Sequence, residues 1–293
     1  MVMNEYILMT DSDSDLPHEI AENLNIPVVR MPFTLDGEEH LDDNGASGLE
    51  KTLFDRMRAG SKPFTSLLPT AVYIDYFEPV LKERDLLFLA FSSQMSATFE
   101  NVLEAQRELA QKYPKRRLVV VDTMSISAPQ QLLVLGAHDL YQKGAPLDEV
   151  EKWVNDNKLK AQAWFTVGDL TYLRRGGRIS PTSAIMGTML DIKPILTLTK
   201  AGKLEAHSKV QGRKKALKTI VDRTAENIGS PEGKTVIILH GDILDEADML
   251  KNQIKQRLPG LSDIRIQMIG PVIGSHAGPG TLAACFIGNE RPI

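Results

Sequence analysis

Three short apolar runs constrain this chain most: YILMT at 6–10, DLLFLAFSS at 85–93 and RRLVVVDT at 116–123. Each reads as a buried strand that ends in small polar residues. Between them PHEIAENL, YIDYFEPVLKE and SATFENVLEAQRELAQK repeat apolar residues at three- and four-residue spacing, the pattern of amphipathic helices. Strands alternating with helices predict a parallel sheet covered on both faces. The first half is therefore read as an α/β lobe.

After LDEVEKWVNDNKL the pattern changes. AWFTVG, IKPILTLT, KLEAHSKV, KTVIILHG and IRIQMIGPVIG read as strands, with RKKALKTIVDRTAENI and DEADMLKNQIKQRL as helices. AGK at 201–203 reads as a hairpin turn, which a parallel crossover would not need. A mixed α+β second lobe follows, and 293 residues suffice for two cores. The expected division is 1–156 and 157–293, with the segment around 63–82 packing with the second lobe.

Composition narrows the function. A net charge of −4 lacks the basic footprint of a nucleic-acid binder. The single cysteine, Cys285, cannot close an internal disulfide and fits a reducing compartment. No run approaches a membrane span, and the N-terminus lacks a basic stretch followed by an apolar one. The expected location is the cytoplasm.

In an open α/β sheet, ligands gather at the carboxyl ends of the strands, which here read Thr10-Asp11-Ser12, Ser92-Ser93 and Asp122-Thr123. Asp11, Asp13, Asp15 and Glu22 take calcium-loop positions, but Leu16 replaces the turn glycine and a strand precedes them. The stretch is read as a turn in which Ser14 or Asp15 caps the next helix, with Pro17 in its first turn. SSQMSATFENV sets four hydroxyl residues around another helix start, more donors than one cap needs, so a carboxylate or phosphate is a natural guest. His276 is placed in a glycine-rich loop between two apolar strands, facing outward. No phosphate-binding loop, nucleophile elbow or metal-spaced cluster of histidine or cysteine occurs.

Taken in order, TDSDSDLP, FTSLLPT, FSSQMSATFENV, VVDTMSIS, TVGDLTYLRRGGRIS, IMGTMLDIKPIL, KVQGRKKAL and GPVIGSHAGPG resemble the DegV family of bacterial fatty-acid-binding proteins, typified by FakB, over essentially the whole chain. The resemblance implies two α/β lobes with one long-chain fatty acid between them, its tail in an apolar tunnel and its carboxylate near the junction. It implies a carrier without cofactor or metal. Such a carrier presents the carboxylate to a separate fatty acid kinase, holds the acyl phosphate and delivers it to phospholipid synthesis. By motif position, Thr65, Ser66, Ser93 and His276 surround the carboxylate, and Arg174 serves the same job or touches the kinase. Met186, Met189, Leu190 and Ile195 are read as tail lining or plain core. Ala97, Gln130, Gln131 and Gln211 depart from the family pattern, and none is a proposed carboxylate contact. Arg174, Arg175, Arg213, Lys214 and Lys215 form either a solvated face or a patch for the kinase or, transiently, an anionic membrane surface. The other readings are an acyl-group enzyme such as a hydrolase using Ser93 and His276, and a lipid-responsive sensor or adaptor.

Overall fold

The computed structural model describes residues 5–179 and 191–293. Along the first half run β1 (Tyr6–Asp11), α1 (His18–Leu24), β2 (Val28–Val29), β3 (Pro32–Leu35), β4 (Glu38–Leu41), α2 (Leu49–Arg58), β5 (Phe64–Thr65), α3 (Thr70–Leu81), β6 (Asp85–Ala90), α4 (Thr98–Lys112), β7 (Leu118–Asp122), α5 (Ser127–Gln142) and α6 (Leu147–Asn157). The apolar runs β1, β6 and β7 pair in parallel in the order β2-β1-β6-β7. A small antiparallel sheet, β4-β3-β5, stands beside them.

Beyond α6 the chain enters a six-stranded mixed sheet. Its elements are β8 (Ala161–Thr166), α7 (Thr171–Arg175), β9 (Ile192–Leu198), β10 (Leu204–Gln211), α8 (Arg213–Asn227), β11 (Thr235–His240), α9 (Leu244–Arg257), β12 (Asp263–Met268), α10 (Pro271–Ala277) and β13 (Leu282–Ile287). The sheet order is β10-β9-β8-β13-β11-β12, with only β11 and β12 parallel. β9 and β10 form the hairpin expected around residues 201–203. The division expected at 156/157 falls at the end of α6. Of the 63–82 segment, β5 pairs with β3 and lies against α10, whereas α3 packs on α4 and β6.

Strand parity sorts the core into layers. On β8, Ala163 and Phe165 face a central cluster while Trp164 faces another, and β11 splits Ile237 and Leu239 from Val236 and Ile238 in the same way. The central cluster also takes Phe88 from β6 and Phe33 from β3, so the two sheets share it. The opposite face of the six-stranded sheet is closed by α8 and α9 through Leu217, Ile220 and Leu250.

Two local expectations are corrected. Residues 271–274 continue no strand: Pro271 opens helix α10, as a fixed φ and a missing N–H suit a first helical position. Ser14 and Asp15 do not cap α1, whose N-cap is Pro17, the residue expected inside its first turn. A 3-10 turn over Ser12–Ser14 comes first, and Ser14 Oγ donates back to the Asp11 carbonyl. Asp15 instead reaches the second half of the chain.

Candidate functional site

Inward-facing strand residues and the first half of the chain enclose a cavity of about 90 Å³, several times what one water needs. Ala163, Phe165, Leu239, Ala283 and Cys285 form its sheet wall, with Phe91 and Met95 opposite. Thr65, Ser66, Ser96, Ser127, Thr281, Arg178, His276 and Asp13 supply polar groups, and the rest of the described lining is apolar.

Both halves of the chain build the polar region. Thr65 sits on β5 in register with Phe33 of β3. His276 sits in the last turn of α10, correcting the expectation of a loop between strands. Thr65 Oγ1 and His276 Nε2 are 2.9 Å apart and share a hydrogen bond. Gly176 makes this fit possible, because a Cβ there would lie 2.2 Å from His276 Nδ1.

The N-terminus of α10 is held by carboxyls from the first half. The Gly270 N–H donates to Asp15 Oδ1 at 3.1 Å, and the Val272 N–H lies close enough to the Asp42 carboxyl to favour its charged form. Gly270 is required here, since a Cβ would come within 2.4 Å of Asp15 Oδ1. Ser127 Oγ donates to Asp15 Oδ2, and Gln267 Nε2 donates to the Asp15 carbonyl at 2.6 Å. The DSDSD stretch thus tethers the helix that carries His276.

Burial governs the charges. It lowers the His276 pKa to about 4, helped by the positive fields of Arg178 and Arg175, so the imidazole is neutral at pH 7. Burial raises Asp11 to about 6 and Asp42 to about 7. Asp13 and Asp15 are also pushed well above the usual carboxylate range, by burial first and then by neighbouring carboxylates. Asp11 is well partnered: Phe91 N–H donates to its Oδ2 and Gln130 Nε2 to its Oδ1, both at 2.9 Å. Gln130, one of the departures from the family pattern, therefore serves the acidic turn. Arg178 Nε donates to the Met95 carbonyl at 3.0 Å and Nη1 to the Gly176 carbonyl.

The structure sorts the expected site residues. Thr65, Ser66 and His276 line one cavity. Ser93 does not: its N–H donates to Asp122 Oδ1 and its hydroxyl accepts from Gln94. Ser96, three residues on, lines the cavity instead. Arg174 lies on the exposed side of α7, and the inward guanidinium is that of Arg178, past the Gly176–Gly177 turn. Of its two readings, Ile195 takes that of plain core, because parity on β9 turns it to the cluster under α8 and α9 and away from the cavity lining. Met186, Met189 and Leu190 lie outside the described residues. Asp13, Ser96 and Arg178 were missed. Spacing did hold a signal for the last two, in SSQMS and LRRGGR, but did not say which residue of each turns inward. Among the described residues, no group of three histidine, cysteine or acidic side chains is arranged to hold a metal.

A family model describing uncharacterised proteins of the DegV family matches residues 6–289. The chain belongs to the DegV family. A DegV domain-containing protein of Clostridium perfringens is 37% identical over 290 residues, covering 99% of each chain. The fold is similar to that of a DegV family protein from Thermus thermophilus, whose structure is described as showing fatty acid binding, at a TM-score of 0.86 and 30% identity over 97% of this chain and 99% of that one. It is also similar to a fatty-acid-binding DegV protein of Streptococcus agalactiae, at 0.85 and 27% over 99% and 100%. A DegV lipid-binding protein of Thermotoga maritima gives 0.85 and 26%, again over 99% and 100%. The two-lobed DegV architecture, with a parallel sheet in the first lobe and a mixed sheet in the second, is thereby shared.

Proposed function

We propose that the chain binds one long-chain fatty acid between its lobes, the tail against the inner sheet face and the carboxylate beside Thr65 and His276. One observation carries this reading: a mostly apolar cavity whose polar groups include hydroxyls, a neutral imidazole and a guanidinium. Each methylene removed from water contributes about 0.8 kcal/mol, so an apolar tunnel holds a long tail firmly. A carboxylate leaving water needs donors in exchange. Ser66 and Ser96 offer O–H groups, Arg178 a positive charge, and His276 an N–H on whichever ring nitrogen is protonated. The fatty-acid-binding relatives from Thermus and Streptococcus support the same ligand class.

We read the chain as a carrier that presents the carboxylate to a separate fatty acid kinase and takes the acyl phosphate toward phospholipid synthesis. The site supports binding better than hydrolysis. Ser93 is not on the cavity wall, and Gly176 occupies the Nδ1 side of His276, where a triad would place its orienting carboxylate. Titration with oleate tests the binding step. Oleate at about a hundred times its Kd stabilises the fold by about 2.7 kcal/mol and raises Tm accordingly, and His276→Ala diminishes that rise. An unchanged Tm and no binding isotherm with C14 to C18 acids would contradict the proposal. Adding ATP and a bacterial fatty acid kinase to the loaded chain tests the carrier step, with acyl phosphate as the expected product and its absence contradicting that role.

A further inference from the structure

We propose that Asp13 is a neutral carboxylic acid that donates a hydrogen bond to the lipid's head group, making it a binding residue of the site supplied by the first lobe. This rests on the fatty-acid reading above.

Asp13 lies in the 3-10 turn after β1 and is only 3% exposed, yet it lines the same cavity as Thr65 and His276. Its Oδ1 has no hydrogen-bond partner among the described residues. Buried polar atoms are almost always partnered, so a carboxyl with an unpartnered oxygen, on a residue of the cavity wall, is a group available to a guest in the cavity. Arg178 and His276 line the same cavity, and the Arg178 charge acts on both His276 and Asp13.

The protonation state follows from the company Asp13 keeps. Asp11 and Asp15 share its turn, Asp42 approaches from the end of β4, and Tyr73 of α3 lies within its field. Arg178 is the positive group facing it, and the neutral His276 faces the same space. Three carboxyl neighbours and full burial outweigh one guanidinium that already donates to two carbonyls. An ionised Asp13 would repel an incoming carboxylate in a buried, mostly apolar cavity, whereas two carboxyl groups sharing one proton attract. The pair is written O–H···O⁻: the proton stays on Asp13, the ligand oxygen accepts, and no bond is made or broken.

The test is infrared difference spectroscopy on the full chain at pH 7, with and without oleate, beside binding isotherms. The expected result is a protonated-carboxyl band that Asp13→Asn removes and that shifts in the wild type when oleate binds. Asp13→Ala weakens oleate binding by about tenfold or more, and Asp13→Asn, which keeps an N–H donor, weakens it less. A spectrum from which Asp13→Asn removes no protonated-carboxyl band, or a band unmoved by oleate, overturns the proposal. Should Asp13→Asn fail to fold, Asp13→Ser removes the same band and keeps a donor. A wild-type chain with no oleate isotherm contradicts the fatty-acid reading itself, and that appears before any spectrum is taken.

Discussion

Arg291 and Asp13 are both buried near the junction of the lobes, at 1% and 3% exposure, and the fold treats them in opposite ways. Arg291 has every donor used. Nε reaches the Ala161 carbonyl, Nη1 those of Met124 and Thr199, and Nη2 the Lys158 carbonyl and Ser125 Oγ, all within 2.9 Å. Five N–H groups meet five acceptors, and these come from the first-lobe loop after β7, the end of α6 and the second-lobe sheet. Asp13 lines the cavity and leaves its Oδ1 without a partner among the described residues. A saturated buried polar group fastens a fold, whereas an unsaturated one beside a cavity is available to a ligand.

The largest effect should come from breaking the saturated side. Arg291→Ala orphans buried carbonyls on both lobes and should cost on the order of 3–5 kcal/mol by urea unfolding. Asp13→Asn should change stability by less than about 1 kcal/mol, because it exchanges a neutral acid for a neutral amide. Equal losses in the two variants would erase the distinction.

Acid sharpens the comparison next. The buried His276 titrates at about 4, below its ordinary 6.5, so the unfolded chain takes up the proton first. Stability from this group is therefore full above pH 6.5 and is lost as pH falls toward 4, by about 3 kcal/mol. The aspartates act in the opposite sense. Asp42, raised from 3.8 to about 7, favours the folded state at low pH, and that contribution is lost as pH rises toward 7. His276→Gln should raise the acid limb of a stability–pH curve relative to wild type, while Asp42→Asn should flatten the decline between pH 4 and 7. Superposable curves for His276→Gln and wild type would show that the imidazole is not buried neutral.

The two faces of the second-lobe sheet give a smaller contrast. Ala283→Leu adds bulk on the cavity side and should weaken oleate binding by about tenfold, with a stability cost of about 1–3 kcal/mol. Ile195→Val, on the helix-covered side, should cost about 0.5–1.5 kcal/mol of stability and leave binding unchanged. Reversed outcomes would mean that the parity assignment is wrong. Smallest of all, Ser96→Ala should weaken oleate binding by about two- to tenfold through one lost hydroxyl contact. Ser93→Ala should change it by less than about twofold, and the opposite ranking would restore Ser93 to the site.

Much of the fold was legible because strand and helix periods are local. β1, β6, β7 and the β9–β10 hairpin stand where apolar runs and turn residues predict them. α10 was misread because PVIGSHA is too short for a helical period to show, and its apolar residues extend the run before it. The site was legible as motifs and less so as individual side chains. In SSQMS and LRRGGR, which serine or arginine turns inward depends on the backbone path around a helix end, a tertiary outcome. Asp13 looked like turn chemistry, since its role as a cavity wall arises only when the second lobe closes over it.

Denaturing extraction followed by mass spectrometry of the chain purified from bacterial cells tests the central claim most directly. The account predicts close to one mole of long-chain fatty acid per mole of protein, and a much lower content in His276→Ala. A chain that carries no fatty acid and takes none up from added oleate would contradict it, leaving the DegV fold without the ligand proposed here.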